Sequence, residues 1–368
     1  LNVFKYSEKE IDGTELMYSI ASMILGMGVL TLPRNIANST RFFDGWISIA
    51  LAGTASLVMV WILSSLTSSF PKRTFFEYVS LITSKPVGYV MTGLFSSSYL
   101  LFTAYEIRSL AEVAKQYLFN KTPIEFIALF FWLVIIYAVA GSRVGLLRLN
   151  LLFFPIVAVV LSLVLFLNVG LIEPRHFKPM FVSDWRGIAK GAQNSGFSFL
   201  GFEIVLVYAV YLKKPEQAVK AAVTGTLIPF FVYLVLYLFV IGVFSYSITK
   251  EIDFPTIELA KEVEVPGAFF ERFESFFFTI WIMTIFNTTA MAFDVSLFTL
   301  HQILPGIGKM TKIHVLAPLI YMISFYAQDS NELDSFGLLV SILIVICCVL
   351  LPTLIFIAAK WRRVKPNG

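Results

Sequence analysis

Long apolar stretches alternate along this chain with short polar breaks, most of which contain proline. The breaks include Phe70-Pro71-Lys72-Arg73, Lys121-Thr122-Pro123, Glu173-Pro174-Arg175, Lys213-Lys214-Pro215 and Gln328-Asp329-Ser330-Asn331. A helix needs ~20 mostly apolar residues to cross a bilayer. The pattern predicts ten spans, at about 12–37, 43–69, 86–119, 124–141, 146–170, 187–211, 219–246, 267–303, 312–328 and 334–360. Spans three and eight are longer than a bilayer needs, which predicts tilt or projection beyond it.

Two spans are interrupted by glycine at matching places. The first reads Ser22-Met-Ile-Leu-Gly26-Met-Gly28-Val-Leu-Thr-Leu-Pro33, and the sixth reads Asn194-Ser-Gly196-Phe-Ser-Phe-Leu-Gly201-Phe-Glu203. Glycine disfavours a helix interior by roughly 1 kcal/mol relative to alanine. In a membrane, a broken helix persists only where its freed backbone faces protein or a water-filled cavity. Breaks at corresponding places in two halves predict a five-plus-five inverted repeat, over about 12–170 and 187–328 with a last span at 334–360. They also predict a small-molecule site at the midplane. The fold class expected is an all-α polytopic membrane protein, with residues 1–368 forming one transmembrane domain.

Composition agrees with this pattern. The chain is 58% hydrophobic and 14% charged over 368 residues, more apolar surface than a soluble core of this size can hide. Lys and Arg set the orientation. With the N-terminus in the cytoplasm, sixteen fall in inside segments, from Lys5 and Lys9 to Lys365, and ten fall outside. Both termini are therefore expected inside. Loops 171–190 and 247–266 are then outside, and Phe254 to Val263 has the spacing of a short amphipathic helix across the outer face. The charged and apolar start of the chain runs into a span too long for a signal peptide.

Little conventional chemistry is present. Cys347 and Cys348 are adjacent in an apolar run and read as packing residues, and His176, His301 and His314 form no ligand pattern. No phosphate-binding loop, metal cluster or nucleophile motif stands out, so neither a cofactor nor enzymatic activity is expected. The small basic excess suits loops facing the lipid bilayer and implies no nucleic acid.

The candidate ligand site begins at the two breaks. Gly26 and Gly28 let a ligand approach the backbone closely, and the half-helix that follows offers free N–H groups and a positive dipole end for a carboxylate. Carbonyls from Gly196 through Phe199 to Leu200 suit an ammonium group. Together these groups match a zwitterionic amino acid. Span three adds Ser98 and Phe102, on one face with Glu106 by i, i+4 spacing. Span eight adds the stripe Asn287, Thr288, Met291 and Ala292. Each of these residues has a simpler reading as interhelical packing. Glu106, Arg108, Glu203, Glu274 and Asp294 are ionisable residues within spans, where they pair structurally or line a water or proton path; Arg108 can reach Glu112 at i+4.

The broken-helix motifs Gly26-Met-Gly28-Val-Leu-Thr-Leu-Pro33 and Phe199-Leu-Gly201-Phe-Glu203 resemble those of the amino acid/polyamine/organocation transporter superfamily, which has the LeuT-like fold. More narrowly, the chain resembles the B subunits of spore germinant receptors, the GerAB-type spore germination permeases. Asp44-Gly-Trp46, Tyr105-Glu-Ile-Arg108-Ser-Leu-Ala-Glu112, Thr122-Pro123, Phe254-Pro-Thr256 and Phe270-Glu-Arg-Phe-Glu-Ser275 carry that resemblance. It implies a subunit in the spore inner membrane, working with A and C subunits, that binds a nutrient such as an amino acid and triggers germination. It also implies a pocket at Gly26, Gly28, Leu200 and the facing stripes of spans three and eight. Some proton-coupled relatives carry a lysine in the fifth span, whereas Arg148 to Asn168 contains none; this departure favours a receptor. Sodium coupling stays open through Thr288 and Thr289. The alternatives are a cation-coupled secondary amino-acid transporter and a ligand-gated water or ion passage.

Overall fold

The computed structural model describes residues 10–263 and 273–361. Lys5, Lys9, the Phe270–Arg272 part of the motif before span eight, and the basic tail through Lys365 lie outside the described residues.

The described residues form fifteen α-helices joined by short 3-10 turns, with no strand. The first span is broken into α1 (Gly13–Ile24) and α2 (Gly28–Ala37), bent by 47°. Spans two and three are α3 (Gly45–Ser69) and α5 (Lys85–Tyr117), with α4 (Phe75–Ile82) between them. Spans four and five are α6 (Ile124–Ala140) and α7 (Arg143–Leu167). The sixth span is broken into α8 (Trp185–Ser198) and a second half, Phe202–Tyr211, that contains α9 (Val205–Tyr208); the bend is 43°. Span seven is α10 (Ala218–Thr249), which α11 (Pro255–Lys261) follows. Spans eight and nine are α12 (Phe273–Ile303) and α13 (Lys309–Ser324). Span ten is α14 (Ser330–Ile344) and α15 (Leu351–Trp361), joined by a π-helical stretch that buries Cys347 and Cys348 as free thiols.

Six of these helices are long and apolar enough to cross a membrane, and each bent pair adds one more. The two remaining expected spans are the shorter helices α6 and α13, of 17 and 16 residues. At 33 residues α5 runs about 50 Å at 1.5 Å per residue, well beyond a bilayer core of ~30 Å.

Local chemistry sets the helix boundaries. The Asp12 N–H donates to the Glu15 carboxylate at 2.7 Å, closing the start of α1. Thr74 and Glu77 cap α4 reciprocally, and the Glu332 N–H donates to Asp329 at the start of α14. α4 was not expected from the hydropathy pattern. Its Thr74-x-x-Glu77 box and the buried Phe75, Tyr78, Val79 and Ile82 carried the signal. α11 also departs from expectation. Pro255, Thr256, Ile257, Leu259 and Ala260 are all buried, and the Thr256 hydroxyl donates to the Val29 carbonyl at 2.6 Å. The helix is thus inserted against the start of α2 instead of lying across a surface.

The packing repeats with a shift of five spans. α1 against α10 corresponds to the broken sixth span against α3. α12 against α7 corresponds to α5 against α14, and α12 against α6 corresponds to α5 against α13. The pairs α3–α10 and α5–α12 map onto themselves, and the small helices α4 and α11 occupy equivalent places against α5 and α12. This exchange is the signature of a five-plus-five repeat, and it places both breaks at the centre of the molecule.

Candidate functional site

The first break is made where the glycines stand. α1 ends at Leu25, and α2 begins at Gly28. The second break falls later than Gly196, which stays inside α8 with open space around it. The turn is made at Gly201, whose φ of 123° favours glycine and against which the Met23 side chain packs.

Three side chains secure the breaks. The Tyr233 hydroxyl, from α10, lies 2.7 Å from the Ile24 carbonyl and 3.1 Å from the Ser198 carbonyl, so a single phenol bridges both broken spans. The Glu203 carboxylate accepts the Gly201 N–H at 2.8 Å and the Tyr99 hydroxyl at 2.9 Å. The Trp281 indole N–H donates to the Gly26 carbonyl at 3.3 Å. Freed backbone groups in a membrane must find such partners.

A cavity of about 350 Å³ opens beside the first break. Its wall includes Gly26, Met27 and Gly28 from the break, Phe102, Tyr105, Glu106 and Ser109 from α5, and Ser198 and Leu200 from the second break. α14 closes it with Asp334, Gly337 and Ser341. The cavity runs toward the end of the molecule that carries α11, where Arg34 and Asp253 form an ion pair at 3.2 Å. The opposite end is tied shut. Ile11 pairs with Tyr211 and Lys213 through backbone hydrogen bonds of 2.9 and 3.0 Å, Arg148 meets Glu15 at 2.8 Å, and Arg143 meets Asp294 at 2.5 Å.

Of the residues singled out from the sequence, Gly26, Gly28, Phe102, Glu106 and Leu200 line this cavity. The others lie off its wall. Ser98 is buried and donates to the Leu94 carbonyl. Phe199 packs on the rings of Phe230 and Tyr233. The α12 stripe faces other helices, because α12 packs along the length of α5. The Thr288 hydroxyl lies 2.8 Å from Glu106, the Met291 sulfur faces the Asn150 amide at 3.4 Å, and Asn287 and Ala292 are buried. Arg108 is buried with Glu112 at 2.5 Å and the Ala327 and Gln328 carbonyls. Asp294 pairs with Arg143, and Glu274 stands in the first turn of α12.

Sequence reading passed over Tyr233 and α14. Ser330, Asp334, Gly337 and Ser341 recur at helical spacing on the cavity side of an otherwise apolar span, and that polar stripe was a usable signal. Tyr233 left no comparable trace, since its role depends on a neighbour far away in sequence.

Two broken helices crossing beside a cavity define the LeuT fold. The fold of MhsT, solved with L-phenylalanine, matches with a TM-score of 0.68 at 14% identity, covering 98% of this chain and 91% of that one. The nucleobase-cation-symport-1 family transporter Mhp1, solved with bromovinylhydantoin, matches with a TM-score of 0.66 at 14% identity, covering 98% and 81%. Within that fold the sequence is more specific. The spore germination protein family profile matches residues 10–333, and the chain belongs to that family. It is 40% identical over 362 residues to spore germination protein GerLB of Bacillus cereus, covering 98% of this chain and 97% of the relative. It is 30% identical over 344 residues to spore germination protein YndE of Bacillus subtilis strain 168, covering 94% of each.

Proposed function

We propose that this integral membrane protein is the nutrient-sensing subunit of a spore germinant receptor, and that it binds a small ligand, an amino acid, in the cavity beside the first break. The carrying observation is the cavity itself. It is bounded by the backbone of both broken spans, in a chain whose relatives along nearly its full length are spore germination proteins. Gly26, Gly28, Phe102 and Leu200 form the small and apolar part of the site. The first turn of α2 offers N–H groups to a ligand carboxylate. The whole chain acts as one transmembrane domain without enzymatic activity, in the spore inner membrane, alongside A and C subunits.

Both termini face the cytoplasm in this reading, on the strength of the Lys and Arg bias. A cysteine placed at Lys365 in a cysteine-free variant should stay unreactive to an impermeant thiol reagent in intact cells. Labelling from outside would reverse the topology.

Binding is expected without net transport, because the fifth span has no lysine and the end opposite the cavity is held by two ion pairs and a backbone bridge. Purified protein in liposomes should bind an amino acid saturably and show no uptake driven by a proton or sodium gradient. Sustained accumulation would establish the secondary-transporter alternative instead.

A further inference from the structure

We propose that Glu106 is the docking group for the ligand's ammonium, and that it restricts the site to amine-bearing nutrients. This rests on the sensing role proposed above and assigns the chemistry of recognition within it.

Six of the backbone carbonyls at the two breaks that could receive an ammonium already have partners. The Ile24 and Ser198 carbonyls face the Tyr233 hydroxyl, and the Gly26 carbonyl accepts from Trp281. The Gly196 and Phe197 carbonyls accept the N–H groups of Phe199 and Leu200. The Met27 carbonyl accepts the Leu30 N–H and the Thr31 hydroxyl.

The carboxylates on the cavity wall separate in the same way. Glu112 has Arg108 at 2.5 Å, and Asp253 has Arg34 at 3.2 Å. Asp334 is exposed toward the mouth, where water can solvate it. Glu106 differs from all three. It is 1% exposed, and among the described residues no cation lies within 4.0 Å of it. One oxygen accepts the Thr288 hydroxyl at 2.8 Å. The other has no hydrogen-bond partner among the described residues, and the residue forms part of the cavity wall.

A charged group buried at membrane depth without a counter-ion is costly, and such residues are paired or functional. An ammonium brings the missing charge and three donors. Thr288 also fixes the place of the carboxylate. Its methyl lies 3.0 Å from where a Cβ on Gly26 would stand, so the Thr288–Glu106 pair sits directly against the first break. A ligand held at Glu106 therefore has its remaining atoms next to the backbone of Gly26 to Gly28.

The test uses the full-length protein purified in detergent, with thermal shift and calorimetric titration. The probes are the twenty proteinogenic amino acids, the α-hydroxy acid matching each one that binds, and inosine and D-glucose as neutral nutrients. At least one amino acid should raise the melting temperature, and its hydroxy acid should fail to. Glu106→Gln should weaken that amino acid at least ~10-fold, the scale of a charged hydrogen bond. Thr288→Val, which removes only the orienting hydroxyl, should weaken it by less. If Glu106→Gln does not fold, the hydroxy-acid comparison on the wild type and the Thr288→Val titration still decide.

Equal binding of the amino acid by wild type and Glu106→Gln, or of amino and hydroxy acid by wild type, would overturn the ammonium role and leave the sensing role standing. So would a sodium-dependent stabilisation that Glu106→Gln abolishes while amino-acid binding persists, since Glu106 would then serve a metal cation. Binding of inosine or D-glucose alone would remove both the amino acid and the ammonium from the site. Binding of no probe would overturn the sensing role together with it.

Discussion

Asp294→Ala should reduce the amount of folded protein, by up to about 3 kcal/mol, because it strands a partly buried guanidinium. Asp294 is fully buried, and it holds Arg143 at 2.5 Å while the Tyr208 hydroxyl donates to it at 3.2 Å. Arg143 also donates to the Tyr211 hydroxyl at 2.6 Å and lies 4.2 Å from the Phe298 ring centroid. The cluster thus joins the starts and ends of three spans: five, six and eight. Removing the carboxylate leaves the guanidinium among aromatic rings with no counter-ion. Replacing both partners by apolar residues of similar size, Arg143→Met with Asp294→Leu, should recover most of the loss, since a well-packed apolar pair is often as stable as a buried ion pair. Membrane abundance and melting temperature in detergent read both variants. Unchanged abundance and melting in Asp294→Ala, together with altered proton leak in liposomes, would instead place Asp294 on an ion path.

The sequence made the architecture legible because the bilayer constrains it so strongly. Span lengths, proline-bearing breaks and the glycines of the first span all act locally, and the helices fall close to where hydropathy put them. The second break was less sharply readable. Gly196 and Gly201 look equivalent in sequence, but only Gly201 sits where the Met23 backbone and side chain crowd the turn and φ must be positive. The cavity wall was legible on the side that depends on local structure: Gly26, Gly28 and the α5 face bearing Phe102 and Glu106. Helical spacing shows which residues share a face, but not what that face meets. The α12 stripe meets α5 and its neighbours, while α14 meets the cavity. Tyr233 lies beyond sequence reasoning for the same reason, since nothing local announces that one phenol reaches two carbonyls on different spans.

That phenol gives the other large effect. A Cβ added at Gly28 would lie 2.5 Å from the Tyr233 hydroxyl oxygen, with Ser198 backbone and side-chain atoms at 3.1–3.3 Å. Gly28→Ala must therefore displace the phenol, and the Ile24 and Ser198 carbonyls lose the donor they share. Overpacking of this kind costs about 1–3 kcal/mol, and a buried acceptor left unpaired costs about 1–3 kcal/mol more. The alanine recovers only ~1 kcal/mol of helix propensity. The net loss should fall at about 1–5 kcal/mol and appear in both melting temperature and ligand affinity, because the same bridge fixes how the two broken spans face the cavity. Tyr233→Phe removes the hydroxyl and its hydrogen bond but creates no clash, so it should cost less, about 1–3 kcal/mol. The double variant distinguishes the two contributions. With the hydroxyl gone, the Gly28→Ala methyl has room, and the combined loss should be smaller than the sum of the single losses by at least ~1 kcal/mol, the sign expected for residues that share one contact. Strict additivity of the two changes in thermal and titration measurements would show that Tyr233 and Gly28 act independently, and that the phenol is not what holds the broken spans together.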